Sequence, residues 1–300
     1  MSIDNHNLSI ASAKDTSIEV LRQLSVHPQL QVRSAVASNP NTPIQILKEL
    51  ADTRFDVSAE NVEADEYDEY DEQDRYLDFY TLLRVVARNH NCSESLLLKL
   101  DSYGDRQTEI AIAQHSNVPV SLLKKFASRQ YFALNEAIAQ NPRTPATLVE
   151  KLATEDNRKI RNLLKTHPNL SKKAIAIIDF MDRKPGTTVE LLAQLAEDRR
   201  VHIQTRIVQY SLTPANILEK LIQNNIDAKT SGCHGDIPSL VIEHPNANTT
   251  VLEAFAEYLL EKNQLGHYQD NACQLRLSRQ SGVKCSKSEI LSPSSIWIFT

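Results

Sequence analysis

The stretch AIAQNPRTPATLVEKLA, Ala137 to Ala153, decides the fold, because AVASNPNTPIQILKELA, Ala35 to Ala51, says nearly the same thing. If the Asn of each phrase is the start of a unit, equivalent units begin at Ala13, Asn39, Asn89, His115, Asn141, His167, Lys184, Tyr210 and His244. The spacings are 26, 50, 26, 26, 26, 17, 26 and 34 residues, so one period dominates. Seven, eight and eleven residues after every start the chain is apolar, as in Ile46/Leu47/Leu50, Leu148/Val149/Leu152 and Ala174/Ile175/Ile178. That spacing puts one apolar stripe on a helix, and a helix with one apolar face must be covered by something else.

The punctuation agrees with a helix start. Thr42-Pro43, Thr144-Pro145 and Thr213-Pro214 place a Thr where its hydroxyl can cap backbone N–H groups, with a Pro at the first helical position. Thr16 with Glu19, Thr42 with Gln45 and Thr187 with Glu190 have capping-box spacing. A shorter apolar segment precedes most starts, for example Val32 to Ala37, Leu83 to Ala87 and Ala137 to Ala139. Its small Ala residues and the absence of two-residue hairpin turns predict a second short helix rather than a strand. Two helical segments in about 26 residues cannot bury their own apolar faces, so stacked neighbours must, and the expected fold is an all-α solenoid.

The phrases LQVRSAVASNPNTPIQILKELA, from Leu30, and LNEAIAQNPRTPATLVEKLA, from Leu134, resemble the leucine-rich repeat variant family, whose unit reads approximately VRxAVAxNPxTPxxLLxxLA. The resemblance covers roughly residues 12 to 260 and degenerates after Leu163. It implies a right-handed superhelix of alternating α and 3₁₀ helices without a sheet, about nine units long, and brings no catalytic motif. Some relatives carry a cysteine-rich N-terminal module for an iron–sulfur cluster. Here the first cysteine is Cys92, so no cofactor is expected.

Irregular spacings are where insertions fall. The 50-residue interval holds ENVEADEYDEYDEQD, residues 60 to 74, whose carboxylates are Glu60, Glu63, Asp65, Glu66, Asp68, Glu69, Asp71, Glu72 and Asp74. Like-charge repulsion predicts a solvated loop over about 56–78; the sharper reading is a cover for a basic surface. Removing those nine carboxylates from a net charge of −5 leaves a body at +4. The 17-residue interval, around Asp179 to Gly186, has no room for a second helix and reads as a kink. The expected blocks are residues 1–180, 181–262 and a cap or tail at 263–300 ending in Ile296-Trp297-Ile298-Phe299.

Cys233 beside His234 is the one stretch that looks faintly chemical, but no oxyanion motif accompanies it, and with Cys273 and Cys285 it lacks the close ligand pairs of structural zinc. No phosphate-binding loop, dinucleotide turn, GxSxG or HExxH occurs, and the chain has 6 Gly, so a non-enzyme is expected, with no cofactor or metal. No apolar run is long enough to span a bilayer and the N-terminus lacks a secretion signal's layout, which predicts a soluble cytoplasmic protein.

The leading functional expectation is a non-catalytic scaffold whose stacked units grip another protein, through Arg33, Arg84, Arg106, Lys159, Arg161 and Arg206 on the second segments. Nucleic-acid binding or base-excision chemistry is the alternative, and the modest +4 and single Trp, at position 297, argue against it. A helical-repeat bilin lyase is a third reading, by analogy of fold alone. Three of the histidines, His115, His167 and His244, share the slot of Asn39, Asn89 and Asn141, where a hydrogen bond to the local turn would explain all six.

Overall fold

The computed structural model describes residues 3–52, 69–129, 131–226 and 237–261. Among them lie seventeen α-helices and no strand. Two compact units meet between Ile175 and Ala176.

Unit 1 alternates two kinds of helix. The chain opens with α1 (Ile3–Ser12), a helix not marked in the sequence, and the second segments read from sequence as short helices are α3 (Leu30–Ser38), α5 (Glu69–Arg88), α7 (Arg106–Gln114), α9 (Phe132–Gln140) and α11 (Arg158–Leu164). Each packs on the next of its kind, α1 on α3, α3 on α5, and so on to α11. The stripe-bearing helices between them are α2 (Ile18–Leu24), α4 (Ile44–Asp52), α6 (Glu94–Asp101), α8 (Val120–Phe126) and α10 (Ala146–Ala153), with α12 (Lys172–Met181) crossing into unit 2. Both segments of each unit are α-helical, so the 3₁₀ alternation that the family resemblance implies is not seen among the described residues.

The stripe does what its spacing requires. Ile46, Leu47, Leu50, Leu96, Leu97, Leu100, Leu122, Leu123, Phe126, Leu148, Val149 and Leu152 are all buried. Each contributes on the order of 1.5–3 kcal/mol relative to an exposed side chain. Ile175 departs from the expectation and is exposed. In α12 the buried face runs Ala174, Ile177, Ile178 and Met181, and Ile175 lies a quarter-turn off that line.

Unit 2 contains α13 (Val189–Leu195), α14 (Val201–Val208), α15 (Ala215–Ile226), α16 (Ile237–Ile242) and α17 (Thr249–Glu261). Here α14 packs on α16, and α15 packs on both α16 and α17. No helix separates α12 from α13, as the 17-residue interval requires. Instead α12 ends in a Schellman closure, with the N–H of Lys184 donating to the Asp179 carbonyl at 2.8 Å and that of Arg183 to the Phe180 carbonyl at 3.1 Å. Arg183 takes the left-handed conformation this closure needs, at φ 65°, a place usually held by Gly.

Two local readings need correction. Thr42, Thr144 and Thr213 do not cap the helix that follows: their hydroxyls donate backward to the carbonyls of Val36, Ile138 and Ile207, six residues earlier. Pro145 is itself the N-cap of α10 and can offer no side-chain cap. The residue before a Pro is held extended, which turns the Thr toward the end of the preceding helix, where carbonyls lack partners. Where a side-chain cap is made, it sits one residue after the expected Thr: Ser17 accepts from Val20 and Thr188 from Leu191, so the capping-box pairs at Thr16 and Thr187 are out of register.

The acidic segment is the second correction. Helix α5 already begins at Glu69, so Glu69, Asp71, Glu72 and Asp74 belong to a helix rather than to a loop. Glu60, Glu63, Asp65, Glu66 and Asp68 lie outside the described residues, and so do Cys233, His234, Cys273, Cys285 and the apolar terminus at Ile296 to Phe299.

Candidate functional site

The unit starts form hydrogen-bonded joints. The Asn89 side-chain amide donates to the carbonyls of Ala37 at 2.7 Å and Asn39 at 2.9 Å, just before and at the preceding unit start. Asn39 does the same to Ala11 and Ala13, and Asn141 to Ala113 and His115. His115 and His167 replace the amide with an imidazole whose Nε2 lies 2.9 Å from the carbonyls of Asn89 and Asn141 respectively. In unit 2, His244 reaches the Tyr210 carbonyl at 3.0 Å.

The other side-chain atom closes the local turn, as the sequence suggested for this slot. Asn39 Oδ1, Asn89 Oδ1 and Asn141 Oδ1 accept the N–H two residues on, and His115 Nδ1, His167 Nδ1 and His244 Nδ1 do likewise. Because Nδ1 faces a donor, each ring must carry its proton on Nε2 and donate it across the joint. One residue type thus fixes the turn within a unit and the register between units. A further set of side chains, Asn91, Asn169 and Asn246, reaches back to the carbonyls of Pro40 and Thr42, Pro142 and Thr144, and Ser211 and Thr213.

Cys92 belongs to the same framework. It occupies the Thr slot and its thiol contacts the Val86 carbonyl at 3.0 Å, six residues back, as Thr42 contacts Val36. Burial pushes the thiol up to about 12, so it is neither a nucleophile nor a ready metal ligand. No group of three or more His, Cys, Asp or Glu with metal-binding geometry occurs among the described residues.

The six cations expected to face a partner divide into distinct environments. Arg33 and Arg161 are buried. Arg33 donates to the carbonyls of His27 and Pro28 at 2.7 and 2.6 Å, and Arg161 to that of Glu155 at 2.8 Å. Burial lowers the Arg33 guanidinium, with the charge of Asp78 opposing the shift. These two arginines are therefore engaged inside the fold and do not present their heads to a partner. The residue six before the start is in fact buried in most units, as Arg33, Leu83, Glu109, Asn135, Arg161 and Gln204, while Asn7, before the first start, is half-buried. The sequence held a signal for this, since Arg33 falls beside Val32, Val36 and Ala37 on one helical face.

Arg84 is half-buried and paired with Asp105 at 3.1 Å. Burial pushes the Asp105 carboxyl upward, but the hydroxyl and N–H of Thr108, followed by Arg84, outweigh it and hold the group below its usual range. Arg206 donates from Nε to the Phe180 carbonyl at 3.0 Å, with its guanidinium 5.2 Å from the centre of the Phe180 ring.

Only Arg106 and Lys159 remain exposed, and both flank the start of α9. The Arg106 guanidinium lies 5.5 Å from the centre of the Tyr131 ring, and the Lys159 ammonium 5.6 Å from that of Phe132. Phe132 is 44% exposed, and Lys159 also pairs with Glu136. Arg158, beside Lys159, is exposed as well. On this cation and aromatic strip across α7, α9 and α11 two of the six expected cations meet exposed or half-exposed rings; Tyr131 and Phe132 carry no signal in the sequence, because rings do not recur at that place in most other units.

The described helices include none long and apolar enough to cross a membrane. Compared with family models, curated proteins and solved structures, the chain matches none.

Proposed function

We propose that the chain is a non-catalytic scaffold of stacked two-helix repeats, of the leucine-rich repeat variant kind, that binds another protein through the strip formed by Arg106, Tyr131, Phe132, Arg158 and Lys159. The observation that carries the reading is the exposure of Phe132 with the Lys159 ammonium over its ring, next to a Tyr131 ring that carries the Arg106 guanidinium. Exposed aromatics beside Arg are the composition that protein interfaces favour, and a ring already flanked by cations can be covered without rebuilding the fold. Support for the stacked-repeat architecture comes from side-chain bonds that link each unit start of unit 1 to the one before it.

The test places a photocrosslinking benzoylphenylalanine at Phe132 and, separately, at Leu98, which is 47% exposed on α6. The expected result is a discrete crosslinked polypeptide from position 132 in the native cell, none from position 98, and loss of the product in Arg106→Glu. Equal crosslinking from both positions, or none from position 132, overturns the reading. Retention of a short single-stranded oligonucleotide at low salt, lost in Arg106→Glu, would favour nucleic acid instead.

A further inference from the structure

We propose that the joint between the units beginning at Asn89 and His115 is acid-sensitive, with the His115 imidazole as the group that opens it. The ring is 6% exposed and both of its nitrogens are committed: Nδ1 accepts the Asn117 N–H at 2.9 Å, and Nε2 donates to the Asn89 carbonyl at 2.9 Å. Only the neutral ring with its proton on Nε2 makes both bonds. A second proton must go to Nδ1, where it meets the Asn117 N–H, so two donors face each other and a turn amide loses its acceptor. The same turn carries the Asn117 side chain, which donates to the Cys92 carbonyl at 3.1 Å across the joint.

The surroundings compensate the imidazolium only in part. Burial is the largest influence and lowers the ring below its ordinary value; the Asn89 carbonyl opposes this, and His90, in the turn between α5 and α6, adds to the lowering. From the side of α9 and α10 come the uncharged Asn141 amide, which donates to the His115 carbonyl, and the Arg143 guanidinium, which donates to the neighbouring Ser116 carbonyl at 3.4 Å. The sign follows from this direction. The unfolded chain takes up a proton near pH 6.5, whereas the folded ring resists it, so the joint keeps its full stability above that value and loses it as the pH falls toward the folded ring's own titration. His167 and His244 make the same pair of bonds at their own joints, whereas Asn39, Asn89 and Asn141 make equivalent joints with amides that do not titrate, so mild acid loosens the His115 joint and spares the amide joints on either side of it.

Amide hydrogen exchange on the whole chain between pH 7.5 and pH 5 tests this, with rates corrected for intrinsic chemistry. Protection at the Asn117 amide falls, by as much as about tenfold per pH unit. The Asn91 and Arg143 amides, which donate to Asn89 Oδ1 and Asn141 Oδ1, hold theirs. His115→Asn installs the residue used in the sister units and makes the Asn117 amide insensitive to pH, whereas His90→Asn leaves its sensitivity in place. Parallel loss at all three amides, or persistence of the effect in His115→Asn, overturns the proposal. Should His115→Asn fail to fold, nitrogen NMR of the native imidazole decides: an Nε2–H ring that becomes imidazolium as Asn117 exchange rises supports it, and an Nδ1–H ring at pH 7 overturns it.

Discussion

In unit 1 the carbonyls at the unit starts Asn39, Asn89, His115 and Asn141 each receive a side chain from the following unit, whereas in unit 2 the starts are Lys184 and Tyr210 and the joints are made by other means. There the guanidinium of Arg206 bonds the Phe180 carbonyl and covers its ring, Phe180 meets Tyr210 edge to face at 6.0 Å, and Asn224 donates to the Ala196 carbonyl at 2.9 Å. Only at His244 does the familiar bond return. A repeated joint needs a short residue with a donor and an acceptor side by side. Where that residue is lost, the same requirement, a partner for a turn carbonyl and a fixed register, is met by a long cation and an aromatic ring from elsewhere in the unit. The first solution repeats along the chain, and the second is specific to its place.

The sharpest way to break this contrast is Asn141→Leu. It removes the donor to the carbonyls of Ala113 and His115 and leaves the Arg143 N–H without its acceptor, in a buried setting. The expected loss is about 3 kcal/mol by urea denaturation, while Asn141→His, which keeps one bond across the joint and the turn bond, costs about 1 kcal/mol. If both substitutions cost the same, the joint is ordinary packing. In unit 2, Arg206→Met keeps the stem and removes the head, and a loss of about 1–2 kcal/mol confined to the exchange of unit 2 amides is expected. The smallest effect has the opposite sign. Arg183→Gly relieves a left-handed backbone at φ 65° and raises stability by about 0.5–1 kcal/mol, read as a higher urea midpoint; no gain would mean that the bond from Arg183 to the Gln209 side chain at 3.3 Å outweighs the strain.

Sequence reading found the helices because burial imposes a period, and Leu148, Val149 and Leu152 show it plainly. It found the interchangeable Asn and His slot for a related reason: few residues carry an acceptor two bonds from the turn and a donor beside it. What it misplaced were directions. Thr144 can donate or accept, and the letters do not say that its hydroxyl looks back at Ile138 rather than forward into α10. Arg33 and Arg161 read as surface cations because charge is usually solvated, yet the turn leading into each of their helices holds carbonyls that a guanidinium folded back from the helix can reach. The start of α5 at Glu69 is hidden in the letters because a run of carboxylates reads as a solvated loop. The strip around Phe132 was illegible for a different reason, since it is assembled from three helices by contacts that no spacing encodes.

The bond from Asn89 to Asn39 spans 50 positions, yet it has the same form as the bond from Asn141 to His115, which spans 26. Whatever chain is threaded between two consecutive starts, the later one finds its predecessor by shape alone. Evolution, or a protein engineer, can therefore splice new material into such an interval without retuning the modules on either side, and the long acidic interval is a graft of that sort already accepted.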